Sequence, residues 1–197
     1  SRLIYIDTDT IIIFEIKEIP YKKMSVQISF ADLTYTNQGI SSNSFPFGAA
    51  LVASYAKKKI GKKIQTDLFK YPNDLKNHLE NNKPKIVCFT NYSWTFDISN
   101  EFSKRIKKKF PDTIIVFGGP NYPNEVYTQK NFLSSYRSID FYIKGEGEIA
   151  FAELFQNLEK FDFSIESFKK NKTKSGNCHY LVEDEFITGA TLPRIEN

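Results

Sequence analysis

One stretch limits the possible folds more than any other: Thr113-Ile114-Ile115-Val116-Phe117-Gly118-Gly119-Pro120-Asn121. Four β-prone apolar residues in succession, with no polar alternation, suit a strand buried on both faces, the condition found in a parallel sheet. The run stops at two glycines and a proline. That removes side chains from the C-terminal end of the strand, where such sheets bind ligands, so backbone N–H groups can approach a phosphate or sugar. The stretch is expected to form one wall of a ligand crevice.

The flanking pattern alternates strands with helices. Val26, Ile28 and Phe30 begin a strand ending near Leu33, and Ala49–Ile60 reads as a helix with Leu51, Val52, Tyr55, Ala56 and Ile60 on one face, stopped by Gly61. Ile64–Phe69 is a second strand, followed by a helix from an Asn73 cap to about Asn82. Lys85–Thr90 is a third, with Ile98, Phe102 and Ile106 spaced four apart on the next helix. Thr113–Phe117 is the fourth. Arg137–Ile143 is the fifth, and a helix with Ile149, Ala152, Phe155 and Leu158 closes the series. This order predicts an α/β fold: a doubly wound, five-stranded parallel sheet of order 2-1-3-4-5, flavodoxin-like or Rossmann-like, with its crevice where the strand order reverses.

Residues 24–160 form that domain. Residues 1–23 read as an N-terminal hairpin extension, Leu3–Ile6 against Ile11–Phe14. Residues 161–197 read as a Lys-, Ser- and Asn-rich linker followed by a second hairpin around Glu183-Asp184-Glu185. The chain opens at Ser1 and stops at Asn197, and reads as a piece of a longer protein.

Charge and composition exclude several classes. The net charge is +4, with lysine runs where helices end (57–59, 62–63, 107–109), scattered and mostly not interleaved with aromatics, which disfavours nucleic acid. The two cysteines, Cys88 and Cys178, form no Cys-x-x-Cys pair, so cysteine-held metal is not expected. No apolar run is long enough to span a membrane and no signal peptide is visible, which points to the cytoplasm. No Gly-x-Gly-x-x-Gly follows the first strand, which disfavours a dinucleotide site. A phosphoacceptor receiver domain needs an aspartate ending the third strand, and Thr90 stands there.

Four polar, Gly/Pro-marked loops converge on the predicted C-terminal edge: Thr34–Gly48, Thr90–Thr95, Gly118–Pro123 and Lys144–Glu148. They offer no acid, base or nucleophile set, so no catalytic residue is assigned. His78 and His179 read as surface residues. Glu146 and Glu148 suit a helix start.

These loops resemble the N-terminal cobalamin-binding domain of cobalamin-dependent radical SAM enzymes. The resemblance rests on Pro46-Phe47-Gly48 heading a helix, Gly118-Gly119-Pro120 ending the fourth strand and Gly145-Glu146-Gly147-Glu148 after the fifth. It covers about Met24 to Leu158, and the late hairpin with its Leu192–Asn197 tail looks like the connector preceding a radical SAM barrel. The resemblance implies a base-off cobalamin (vitamin B12) over the sheet's C-terminal edge, its nucleotide tail in the crevice. The family's Ser-x-Leu motif falls at Thr90-Asn91-Tyr92, and its Asp-x-His-x-x-Gly motif at Asn43-Ser44-Phe45-Pro46-Phe47-Gly48, where only the glycine survives. Phe45 replaces the lower cobalt ligand, and a phenyl ring cannot coordinate cobalt.

The implied cofactor-binding residues are Asn43, Phe45, Gly48, Thr90, Asn91, Tyr92, Gly118, Gly119, Pro120, Gly145, Glu146 and Gly147, with no protein metal ligand. The cysteine triad that holds a [4Fe–4S] cluster is absent. Cluster and S-adenosylmethionine would belong to the rest of a parent enzyme, possibly a methyltransferase, whose radical SAM domain would be this domain's partner. The alternative is a degenerate Rossmann-like interaction or substrate-recognition module that binds no cobalamin, with Phe45, Phe47, Tyr92, Trp94 and Tyr122 as its docking surface.

Overall fold

The structure, a computed structural model, describes residues 2–7, 10–15, 25–36 and 45–195. Strands β1 (Arg2–Asp7) and β2 (Thr10–Glu15) pair antiparallel as a two-stranded sheet of their own. All other strands join one seven-stranded sheet. In chain order these are β3 (Val26–Ala31), β4 (Ile64–Phe69), β5 (Ile86–Thr90), β6 (Ile114–Gly118), β7 (Phe141–Ile143), β8 (Cys178–Val182) and β9 (Glu185–Thr188). Their spatial order is β4-β3-β5-β6-β7-β8-β9. The first five are parallel and follow the expected 2-1-3-4-5 order; β8 and β9 continue the sheet antiparallel.

Among the described residues six helices cover the faces: α1 (Phe47–Ile60), α2 (Pro72–Asn81), α3 (Phe96–Lys109), α4 (Val126–Ser135), α5 (Glu148–Glu159) and α6 (Ile165–Lys170). Period-2 alternation along the strands divides the core in two. Ile28, Phe30, Cys88, Ile114 and Val116 face α1, α5 and α6, whereas Ala31, Val87, Phe89, Ile115 and Phe117 face α2, α3 and α4. This is why β5 and β6 read as unbroken apolar runs. No helix among the described residues is long and apolar enough to cross a membrane.

Three local expectations change. α1 buries Ala49, Ala53 and Ala56; of the expected face, Ala56 is among these, Val52 and Ile60 are half-buried against the core, and Leu51 is 41% exposed. The small stripe lets α1 come close to α5 and the sheet. α2 begins at Pro72, ahead of Asn73: a proline lacks only an N–H that has no partner in the first turn. The fifth strand is shortened to Phe141–Ile143 because residues 137–140 form a turn, with the buried Asp140 carboxylate accepting from the Ile115 N–H and the Lys107 ammonium.

The stretch 161–176, expected as a linker, contains α6 and adds to the core. Ser164 caps α6 by accepting from the Ser167 N–H. Phe168 is fully buried and meets Phe141, Phe161 and Tyr180 edge to face, at centroid distances of 5.0, 5.8 and 5.6 Å. Phe168→Ala is therefore expected to cost about 3–5 kcal/mol of stability, as for other buried phenylalanines. Urea unfolding followed by circular dichroism checks this, and a loss below about 1 kcal/mol would mean that α6 is not part of the core.

Candidate functional site

The pocket at the C-terminal edge of the parallel strands holds about 380 Å³. It opens over the C-terminal ends of β3, β5, β6 and β7, against the first turns of α1 and α5, and is lined by residues of these elements and their loops. Nine of the residues expected at the site line it: Gly48, Thr90, Tyr92, Gly118, Gly119, Pro120, Gly145, Glu146 and Gly147. Phe45 is not part of the wall; it is 67% exposed, just ahead of α1. Asn43 lies outside the described residues.

Asn91 is fully buried and serves the site from behind. Its Nδ2 donates to the Asn121 carbonyl and, at 3.0 Å, to the Tyr142 hydroxyl; its Oδ1 accepts from Asn121 Nδ2 at 3.0 Å. Its backbone N–H donates to the Gly118 carbonyl at 2.6 Å and its carbonyl accepts from the Asn121 N–H at 3.1 Å. The Tyr142 hydroxyl donates on to the Gly119 carbonyl at 2.8 Å. The side-chain amide has used both donor hydrogens and its acceptor within the fold.

The two glycines therefore have different jobs. Gly119 has φ +127°, and a Cβ there would lie 2.8 Å from the Asn91 carbonyl oxygen and 2.9 Å from its nitrogen. No side chain fits at that position. At Gly118 the nearest neighbour of an added Cβ is the Ile143 carbonyl at 3.5 Å, an ordinary contact. Its missing side chain leaves space in the pocket and is not needed for the backbone path.

The mouth is polar and aromatic. Thr90 donates to Asp32 Oδ1 at 2.6 Å, and Lys70 lies 3.6 Å from the other oxygen of that carboxylate. Glu146 pairs with Arg194 at 2.9 Å. The Tyr92 ring stacks on Trp94 with centroids 5.0 Å apart, and its hydroxyl lies over Gly48. Neither the Asp32 partner nor the Arg194 contact was legible in the sequence, because both bridge distant segments. The inner wall, Phe30, Val52, Cys88, Val116 and Phe151, was visible only as core periodicity.

Beyond the pocket, Tyr122 stacks on Tyr142 at 3.7 Å, and its hydroxyl lies 3.3 Å from His179 Nδ1. His179 is buried, not a surface residue as expected; burial, with a smaller effect from Lys144, pulls its pKa down to about 4. Among the described residues no group of three or more His, Cys, Asp or Glu side chains could hold a metal ion. Among the described residues the arrangement provides walls for a ligand.

The chain matches the B12 binding domain family over residues 40–155, more than half its length. It belongs to that family. This B12-binding domain is similar to the cobalamin-dependent radical SAM methyltransferase TokK of Streptomyces tokunonensis, with 32% identity over 72 residues, 36% of this chain and 10% of that protein. It is likewise 30% identical over 71 residues to the 2-(S-pantetheinyl)-carbapenam-3-carboxylate methyltransferase of Streptantibioticus cattleyicolor, again 36% of this chain and 10% of that protein. The matched stretch is thus about a tenth of each relative. Among solved structures, the cobalamin-dependent S-adenosylmethionine radical enzyme OxsB, with aqua-cobalamin and S-adenosylmethionine bound, superposes with a TM-score of 0.55. The sequence identity there is 15%, over 86% of this chain and 23% of OxsB, so the likeness is one of fold.

Two outcomes check the geometry of this B12-binding domain. Gly119→Ala is expected to lose roughly 1–3 kcal/mol from backbone strain, with the Asn91 clash in addition, whereas Gly118→Ala stays within about 0.5 kcal/mol of wild type; urea titration separates them. His179 is expected to stay neutral until the pH approaches 4, as followed by NMR of the ring. Because its folded pKa lies below the unfolded value of about 6.5, its contribution to stability is complete above pH ~6.5 and is lost as the pH falls through that interval.

Proposed function

We propose that this domain binds cobalamin in the base-off form, with the nucleotide tail in the pocket between the sheet and α1/α5, and that it does so for a larger radical SAM enzyme. The observation carrying the proposal is the pocket itself. A largely apolar slot, lined mostly by family-matched residues, opens at the sheet's C-terminal edge, and Gly118 adds no side chain to it.

The residues fit the group. Gly118 presents space where a Cβ would be tolerated by the fold, and the Gly118 and Gly119 carbonyls are fixed by the Asn91 N–H and the Tyr142 hydroxyl. The inner wall suits a flat apolar ring, and the stacked Tyr92–Trp94 pair stands at the mouth. On this reading Gly48, Thr90, Tyr92, Gly118, Gly119, Pro120, Gly145, Glu146 and Gly147 surround the tail, and Asn91 holds the loop behind them. Phe45 offers the cobalt no ligand, so binding depends on the walls alone. When bound, cobalamin supplies a cobalt centre able to carry an organic group. The chain binds, orients and partly shields it. A [4Fe–4S] cluster and S-adenosylmethionine would be held by the parent enzyme's radical SAM domain, with methyl transfer as the candidate reaction.

Titration of the protein with hydroxocobalamin, followed by its visible spectrum, is expected to give saturable binding. Gly118→Phe fills the slot and is expected to weaken binding by at least about a hundredfold, roughly 2.7 kcal/mol, with the circular dichroism spectrum retained. Equal binding by the Gly118→Phe variant would place the ligand elsewhere. Absence of binding by the unaltered protein would favour the docking-module reading, for which Phe45, Phe47 and Trp94, each about two-thirds exposed, are the surface.

A further inference from the structure

A second groove, of about 560 Å³, lies between α2 and α3, on the sheet face opposite α1 and α5. Its floor is apolar: Leu79 from α2, Ile98, Phe102 and Ile106 from α3, and Phe110 just after it. Leu79 and Ile106 are buried in the core on that face, whereas Ile98, Phe102 and Phe110 pack against it and stay half-buried. Lys76 and Glu80, an i,i+4 pair at 3.9 Å, form the α2 rim.

The α3 rim carries a pattern of charge. Asp97, Glu101, Arg105 and Lys109 follow one another every four residues, and all are exposed along the groove. Residues four apart share one helix face, so these form a stripe about 18 Å long, acidic in its first half and basic in its second. The stripe is centred on Ser103, and reversing its direction exchanges every acid for a base. Two copies of α3 laid antiparallel across a two-fold axis therefore bring Asp97 against Lys109 and Glu101 against Arg105, twice each. The helix dipole also favours acids early and bases late, but its effect is confined to the terminal turns and requires no apolar groove beside the charges.

We propose that the α2/α3 face is the interface of a symmetric dimer, its occupant a second copy of this chain. Each α3 enters the other's groove and covers Ile98, Phe102 and Phe110, which gain from burial. The Glu101–Arg105 pair within each helix, at 2.7 Å, becomes half of a four-charge cluster of alternating sign. A parallel arrangement would set Asp97 against Asp97 and Lys109 against Lys109, so the charges select the antiparallel one. As a crossover helix, α3 runs against the parallel strands β5 and β6 that it connects. Pairing it antiparallel points the C-terminal sheet edges of the two copies in opposite directions. The pockets at those edges stay open, and the dimer does not depend on what they bind.

Sedimentation equilibrium of the 197-residue chain, from roughly micromolar to a few hundred micromolar, tests the inference. A monomer–dimer equilibrium is expected, weaker in high salt because the charge pairs lie at an exposed rim. Arg105→Glu sets acid against acid across the axis and is expected to weaken dimerisation by at least about tenfold. The double variant Glu101→Arg/Arg105→Glu exchanges the two charges, keeps every contact across the axis complementary, and is expected to recover most of that loss. Both positions are exposed, and circular dichroism checks that each variant keeps its fold. A monomer throughout the range overturns the inference, whatever else covers the groove. A dimer indifferent to Arg105→Glu lies on another surface and overturns it too. Failure of the double variant to recover removes the antiparallel two-fold and with it the proposed interface.

Discussion

The Asn91 side chain at the end of β5 is the contact on which the rest of the site depends. It ties the loop after β6 to the hydroxyl of Tyr142 on β7, and that hydroxyl holds the Gly119 carbonyl in turn. Three adjacent strand ends are thereby fixed to one another. A buried amide with all its groups paired is stable only in one arrangement, because any shift leaves a donor or acceptor without a partner in a dry interior. The same close approach leaves no room for a side chain at Gly119, because the Asn91 backbone occupies the space a Cβ would need.

The two faces of the sheet solve different packing problems. On the α2/α3/α4 face, Phe89, Phe96, Phe117, Phe132, Tyr136 and Tyr142 fill the layer with ring-on-ring contacts. On the other face α1 contributes alanines, and α5 is buried almost all round between α1 and α6. Small residues bring the helices close along their length but leave the sheet edge open above Val116 and Cys88. The opening is thus a product of how the helices pack, and it lies where the strand order changes direction.

The strands and their order were legible because unbroken apolar runs such as Ile86–Phe89 and Ile114–Phe117 are rarely anything else in a chain that alternates with helices. The glycine pair and the Gly145–Glu148 loop were legible for a similar reason, since paired glycines at a strand end mark close approach. The alanine face of α1 was legible only in part: Ala56, Val52 and Ile60 of the periodic face do meet the core, but periodicity gives little weight to Ala49 and Ala53, and Leu51 is exposed. The core role of residues 161–176 was hidden by their lysines, which carry exposed charge around the two anchoring residues Phe163 and Phe168. The inward role of Asn91 was invisible because its partners lie 30 and 51 positions away. Phe45 was expected among the site residues and is exposed instead, because its position depends on a chain path that sequence does not specify.

The β8–β9 hairpin has a consequence for where this folding unit ends. The family match stops at residue 155, yet β7 has a neighbour on its outer side only because Tyr142 and Ile143 pair with His179 and Cys178. Without the hairpin, β7 would be a bare sheet edge of three buried apolar residues, with its hydrogen-bonding groups free to recruit a strand from another molecule. The final strand, β9, is four residues long and begins with Glu185, whose carboxylate pairs with Lys172. Short and charged, it makes a poor template for self-association. The hairpin therefore ends the sheet on a short, charged strand, and the sheet itself runs on to Thr188.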